Sequence, residues 1–385
     1  VPATTARSAA TREGAQWIVR ALMRLDPDEL EEEALILEAL HTTIAGLADD
    51  ADNVREAALL AGKAVVRYHG RENLAVLLPS LETKLAATTW RVRAAAALLL
   101  GELLCLVGDA KRVGYAENED EDVALGDDAT AKAIEGTIGR AAWRNILASL
   151  YIARLDNVAA VRHAAVQVWK TVVPNTPRAL KDILGALVRR LVSMLTPDDV
   201  DSSSTVQQQQ GLPPPPRVVR GGEPPQEDDD AEDDDGAEEE EDLDEYPLDD
   251  ATAERQRVGS RTLGDVVQKM GDRVIPSLVP LLVEAFEYGS DATRVGVCLG
   301  LAEVCGAASP AQASEQLQVL APAVEMTLLT GVRAVASHGA VAFKELHRTA
   351  GKATVEAIVP KLLAHLDDDD DDVVRDGVNV TDAAV

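Results

Sequence analysis

Cysteine and aromatic residues are both scarce. Three cysteines in 385 residues, with no pairing pattern, exclude a disulfide framework and point to a reducing compartment. Aromatics make up only 3% of the chain, so any core is built from Ala, Leu and Val. No apolar run reaches the ~18 residues that a membrane span needs. Charges run through the first thirty residues, which does not fit a secretory leader. The six histidines (41, 69, 163, 338, 347 and 365) share no ligand spacing with one another or with a cysteine. His338 and His347 are nine apart, on opposite sides of a helix. Also missing are a Gly-Lys-Ser/Thr phosphate loop, a Gly-x-Ser-x-Gly elbow and a His-Glu-x-x-His pair. No residue pattern calls for a catalyst, a metal or a cofactor.

What the chain does have is one phrase repeated at similar spacing. An apolar helix ends, a short polar turn follows, and Val-Arg or its like opens a second apolar helix. The phrase occurs as Asn53-Val54-Arg55-Glu56-Ala57-Ala58, Trp90-Arg91-Val92-Arg93-Ala94-Ala95 and Ala160-Val161-Arg162-His163-Ala164-Ala165. It returns at Gly331-Val332-Arg333-Ala334 and Val373-Val374-Arg375-Asp376. The arginines lie 38 (55 to 93), 39 (294 to 333) and 42 (333 to 375) residues apart. A period near forty with two helices per unit predicts an all-α solenoid of HEAT or armadillo type, a right-handed superhelix of helix pairs. Such a chain presents surface rather than a pocket. Neither end reads as a polar capping repeat, so the expectation is a piece of a longer array.

The reading divides the chain into an array at 1–198, an insertion at 199–253 within one repeat, and a continued array at 254–385. The insertion holds Ser202-Ser203-Ser204, glutamines 207–210, prolines 213–216 and an acid tract. Nothing in it buries a core, so it is predicted to be disordered. Seventeen acids and no Lys or Arg fall in 227–250, more than half of the net charge of −29. Pro213 to Pro216 read as a spacer more readily than as a polyproline ligand. The predicted helices include Val54–Tyr68, closed by His69-Gly70 with a left-handed Gly70, and a single helix rising through Trp143 to Leu155. Separate helices are predicted from about Glu254 through Met270 and over Pro276–Phe286. The last pair is Val355–Leu366 and a helix starting at Val373. Trp143 and Trp169 are placed in the core, as are Cys105, Cys298 and Cys305.

Three turns pair an acid with the arginine six residues on: Asp49 with Arg55, Asp156 with Arg162, and Asp369 with Arg375. The Asp is expected to cap the second helix, and the Arg to pair with the Asp of its own or the next unit, as a ladder along the stack. Ala87 before Arg93 and Thr327 before Arg333 break the ladder. Against the acidic background, Arg178, Lys181, Arg189 and Arg190 form a local basic cluster, the candidate contact with a partner.

One stretch is more specific. Leu150-Tyr151-Ile152-Ala153-Arg154-Leu155-Asp156, then Val161-Arg162-His163-Ala164-Ala165-Val166-Gln167-Val168-Trp169-Lys170, closely resembles the giant translational activators of the general amino-acid control pathway, in their C-terminal half. Thr262-Leu263-Gly264-Asp265-Val266-Val267 and Gly296-Val297-Cys298-Leu299-Gly300-Leu301 look like later segments of the same family, in the same order. The resemblance covers about residues 45–372 without the insertion. It implies a noncatalytic cytosolic scaffold on translating, stalled or collided ribosomes. It also implies a partner kinase that phosphorylates initiation factor two alpha during amino-acid starvation, and a companion ATP-binding-cassette protein. It implies no cofactor, small-molecule substrate or membrane. The alternative is an importin-beta-type nuclear carrier, since acidic helical surfaces suit basic cargo.

Overall fold

The computed structural model describes residues 7–25, 33–108, 128–196 and 249–379, apart from the side chains of 33, 272 and 366–379. These residues are almost entirely helical, with no strand among them. In order the helices are α1 (Ala9–Leu22), α2 (Glu33–Leu47), α3 (Asp52–His69), α4 (Leu74–Lys84) and α5 (Trp90–Val107). Then come α6 (Asp128–Ile138), α7 (Arg140–Ala153), α8 (Ala159–Val172), α9 (Thr176–Leu195) and α10 (Asp250–Tyr288). The last five are α11 (Asp291–Ala307), α12 (Pro310–Glu315), α13 (Leu317–Leu328), α14 (Arg333–Ala350) and α15 (Lys352–Asn379). Most of the insertion lies outside the described residues.

The helices stack in two layers. α1, α3, α5 and α8 pack in succession in one, and α11 packs on α14 further along it. In the other, α2 packs on α4, α7 on α9 and α13 on α15, while each pair (α2 with α3, α4 with α5, α7 with α8) closes across the layers. Small side chains permit this close stacking: Ala57, Ala58 and Ala61 of α3 and Ala95, Ala96 and Ala97 of α5 are all buried. Leucines fill the space between pairs, with Leu77 and Leu81 of α4 and Leu99, Leu100, Leu103 and Leu104 of α5 fully enclosed.

The sequence reading needs correction at four places. α10 is one helix of 39 residues, about 58 Å long, starting at Asp250 and passing through Pro276 and Pro280. It was expected as two. A proline inside a helix costs about 3 kcal/mol. Val274, Ile275, Leu278 and Leu282 flank the prolines and are wholly buried, each side chain contributing roughly 1.5–3 kcal/mol. Packing therefore outweighs the backbone defects. α10 thus serves as second helix of one repeat and first helix of the next, on α9 at one end and α13 at the other.

The second correction concerns α15, which runs unbroken to Asn379. Asp369 and Arg375 therefore lie along one helix rather than across a turn, and their side chains lie outside the described residues. Six aspartates in a row contain no Gly or Pro to stop the helix. Third, the expected single helix ending near Leu155 is split into α6 and α7 at Gly139, whose φ of 84° suits glycine alone. Fourth, Gly70 has an ordinary φ of −63°. It is glycine for lack of room: a Cβ would press on the Val66 carbonyl and lie 2.9 Å from Leu106 Cδ2 and 3.0 Å from Leu103 Cδ1.

Trp143 and Trp169 are buried, as expected. The Trp169 ring meets Tyr151 edge-on at 5.4 Å, and its Nε1–H donates to Thr176 Oγ1 at 3.0 Å. Trp169→Ala should therefore lower stability by about 3–5 kcal/mol in chemical denaturation; a loss below about 1 kcal/mol would mean the ring packs against little. The three free cysteines are buried as well, and burial pushes the Cys298 and Cys305 thiols up to about 12. Neither should react with a disulfide reagent near pH 8 until the chain is denatured. Labelling of native protein within minutes would contradict that burial.

Candidate partner surface and the turns between repeats

Three arginines at the starts of α3, α5 and α8, the second helices of their pairs, repeat one geometry. Arg55 Nη1 donates to the carbonyls of Asp49 (2.6 Å) and Asp50 (2.8 Å). Arg93 Nη1 donates to those of Ala87 (3.0 Å) and Thr88 (2.9 Å). Arg162 Nη1 donates to those of Asp156 and Asn157, both at 2.7 Å. Each guanidinium thus closes its own turn through backbone oxygens. It does so at Ala87, where the carboxylate is missing, because a carbonyl serves whatever the side chain.

The carboxylates go to the neighbouring repeat. Arg12 grips Asp49 with one edge of its fork, through Nε at 2.6 Å and Nη2 at 2.8 Å. Arg93 grips Asp156 in the same way at 2.7 and 3.0 Å, with both side chains more than nine-tenths buried. The acids also accept from the backbone, Asp49 from Ala51 N–H at 2.9 Å and Asp156 from Val158 N–H at 2.8 Å. Of the two pairings left open by the sequence, own unit or next, the structure has the second at both junctions. Arg93 makes a further contact, through Nη2 to Glu254 Oε1 at 3.1 Å. This joins α5 to the start of α10 across 161 residues.

The basic cluster on α9 does not act as one set. Arg178, Lys181 and Arg189 are exposed and share a face, with exposed Asp182 beside them. Arg190 points elsewhere. Its Nη1 donates to Glu82 Oε1 of α4 at 2.7 Å and also to Ser149 Oγ of α7. It is a structural tie between helices. Beside the exposed three lies a shallow groove of about 140 Å³ between α6, α7 and α9, floored by Trp143, Leu147 and Ile183. Arg140 on its rim sits 3.7 Å from Glu135 and 3.9 Å from Asp182, so the rim is of mixed charge.

A third cluster was not foreseen. The Arg154 guanidinium lies 5.1 Å from the Tyr151 ring centre and 4.8 Å from that of Trp169. Burial pulls its pKa down. The Tyr151 hydroxyl donates to Asp265 of α10, and burial together with that bond pushes the phenol well above its ordinary value. Lys269 Nζ bonds Asp265 at 2.7 and 2.8 Å and the Tyr151 hydroxyl at 3.1 Å. Tyr151 and Arg154 are part of the phrase that carried the family resemblance, but Asp265, 114 residues on, has no local signal in the sequence.

Helix pairs in two layers, locked to their neighbours at the turns, define an α-solenoid of HEAT and armadillo type. Among the described residues no helix is long and apolar enough to cross a membrane. Over 327 residues the chain is 29% identical to the stalled ribosome sensor GCN1 of Homo sapiens, covering 85% of this chain and 10% of that protein. It is 28% identical over 337 residues to the eIF-2-alpha kinase activator GCN1 of Saccharomyces cerevisiae, covering 87% and 10%. Protein ILITYHIA of Arabidopsis thaliana is 34% identical over 161 residues, covering 42% of this chain and 6% of that protein. The chain is thus related in sequence to the GCN1 proteins, as its motifs implied, and spans about a tenth of their length. No family model matches the chain. A solved structure of Kap121p bound to Nup53p covers 95% of this chain and 34% of that one at 16% identity, but with a TM-score of 0.34, too loose a superposition to bear on function.

Breaking the Arg93–Asp156 pair from either side should cost about 3–5 kcal/mol, because it strands a buried charge. A double-mutant cycle should show strong coupling; additive losses would refute the rung. The pair at Asp49 predicts an acid effect. The bond from Arg12 first, and the Ala51 N–H after it, hold the Asp49 carboxyl below its ordinary 3.8. A depressed carboxyl adds stability above its unfolded pKa and loses it as pH falls through the folded one. The stability advantage of wild type over Asp49→Asn should thus be full above about pH 5 and shrink on acidification below 3.8. An advantage that does not vary from neutral pH to pH ~2 would rule this out.

Proposed function

We propose that this chain is a noncatalytic scaffold segment of a ribosome-associated translational activator, one that promotes activation of the starvation kinase acting on initiation factor two alpha. The observation that carries the reading is sequence similarity to proteins named as stalled ribosome sensor and eIF-2-alpha kinase activator, over 85% of the chain in the human case. The physical features agree with it. The described helices offer long exposed faces, and the buried cysteines are held as thiols far from thiolate chemistry. A scaffold of this kind works by holding kinase and ribosome within reach of each other, raising effective concentration without chemistry.

In this reading Arg178, Lys181 and Arg189 on α9 touch the ribosome. Residues 1–198 and 254–385 form one array on either side of the insertion, and the protein works in the cytosol on polysomes beside its companion ATP-binding-cassette protein. The importin-type carrier is not favoured. The sequence relatives carry translational names, and likeness to a karyopherin stops at a TM-score of 0.34.

The test is cosedimentation of the full chain with purified ribosomes, read beside phosphorylation of initiation factor two alpha in starved cells. The chain should pellet with ribosomes, and joint reversal of Arg178, Lys181 and Arg189 to Glu should weaken this at least about tenfold, a loss of about 1.4 kcal/mol. Absence of the wild-type chain from the ribosomal pellet would overturn the reading. Pelleting unaffected by the reversal would remove the α9 face from it.

A further inference from the structure

The groove between α6, α7 and α9 has two properties that stacking of the array does not require. The first is its shape. Gly139 breaks the helix, so α6 does not extend α7 but packs beside it and on α5. Lys132 and Glu135 of α6 are three apart. Arg140, Arg144 and Leu147 of α7 follow at steps of four and three, and Arg178 and Asp182 of α9 at four. Each helix therefore turns one side to the same space, and all of these residues line it. The floor is apolar and buried (Trp143, Leu147 and Ile183), and the volume of about 140 Å³ is close to what one benzene-sized group fills.

The second property is a cation without an acceptor. Arg144 lines the groove half-buried, and its enclosed Nε has no hydrogen-bond partner. Among the described residues neither it nor the exposed Lys132 and Arg178 forms an ion pair. The rim acids are turned elsewhere. Glu135 and Asp182 both lie against Arg140, at 3.7 and 3.9 Å. Asp128 opens α6, where a carboxylate suits the positive end of the helix. A guanidinium partly out of water carries a desolvation cost that an incoming carboxylate offsets. The rim acids would oppose a run of phosphates, and an apolar floor gives a phosphate chain nothing to bind. Floor and cation together suit a protein segment in which a carboxylate stands next to an apolar side chain.

We infer that this groove seats a short segment of a protein partner, with one apolar side chain on Trp143, Leu147 and Ile183 and the adjacent carboxylate on the Arg144 guanidinium. A planar fork takes a carboxylate in two parallel bonds, which a lysine at 144 could not do. The inference goes beyond the ribosome reading and does not depend on it. Arg178 borders both surfaces, but Arg144 and the floor belong to the groove alone.

The test measures fluorescence anisotropy of labelled, capped octapeptides against the full chain. Each peptide carries one Leu, Ile, Phe or Trp beside one Asp or Glu in a Gly/Ser background. At least one should bind with a Kd below about 1 mM. Exchange of its acid for the amide, or of its apolar residue for Ala, should weaken binding at least about tenfold. Arg144→Gln should make acid and amide peptides bind alike, and Arg144→Lys should restore only part of the preference. Because Arg144 has no acceptor to lose, Arg144→Gln should keep the helix content and thermal midpoint of wild type. Ala179→Leu, a neutral change in the groove lining, should block every peptide. No binding by any peptide, equal binding of acid and amide peptides to wild type, or an acid preference that survives Arg144→Gln would each overturn the inference. So would tighter binding of peptides with Lys in place of the acid, which would assign the groove to its rim acids. Polyuridine displacing the peptide at equal concentration would assign it to nucleic acid and overturn it as well. A chain that pellets with ribosomes but binds no peptide sinks this inference alone. One that binds peptides but never pellets sinks the ribosome reading alone.

Discussion

A guanidinium holds five N–H donors in one rigid plane, and in this array the plane is divided between two repeats. One edge closes the turn of its own unit through two carbonyls, and the other grips a carboxylate of the next. Arg93 does both, and adds Glu254 across the insertion. Apolar burial is non-directional and would tolerate one helix pair sliding on another. A bidentate bond does not tolerate sliding, so these rungs fix the register while the leucines and alanines supply the adhesion. Lysine could replace neither role, since a point charge has no fork.

Much of this could be read from the sequence because a solenoid is a local structure repeated. Helix pairs, their period and the buried faces follow from short windows, and α5, α8 and α9 fall within a few residues of expectation. The aspartate and arginine at the turns were legible too, down to the missing acid at Ala87. Whether Asp156 would turn to Arg162 or to Arg93 was not legible. Six residues within a turn and 63 residues across a junction differ only in packing, which a one-dimensional pattern does not encode.

The failures share a cause. Proline at 276 is a local signal for a break and the aspartates at 367–372 read as a polar turn, and at both places the helix continues. At α10 the reason lies in the neighbours: Val274, Ile275 and Leu278 are enclosed by helices far away in sequence. Arg190 was grouped with nearby cations by sequence distance, but it stands at a different angle around α9, against Glu82. Tyr151 with Asp265 shows the same limit.

Because α10 belongs to two repeats at once, the array is not evenly compliant along its length. Elsewhere successive pairs meet at turns, and each junction takes up a small part of any bend or twist. Around residues 250–288 two units share a single beam of about 58 Å, so strain arriving from one side passes through to the other. A load applied by a large partner at either end would therefore be felt first at the hinges flanking this splint, at the α9–α10 and α10–α11 contacts, and the curvature of the whole ribbon would be set there.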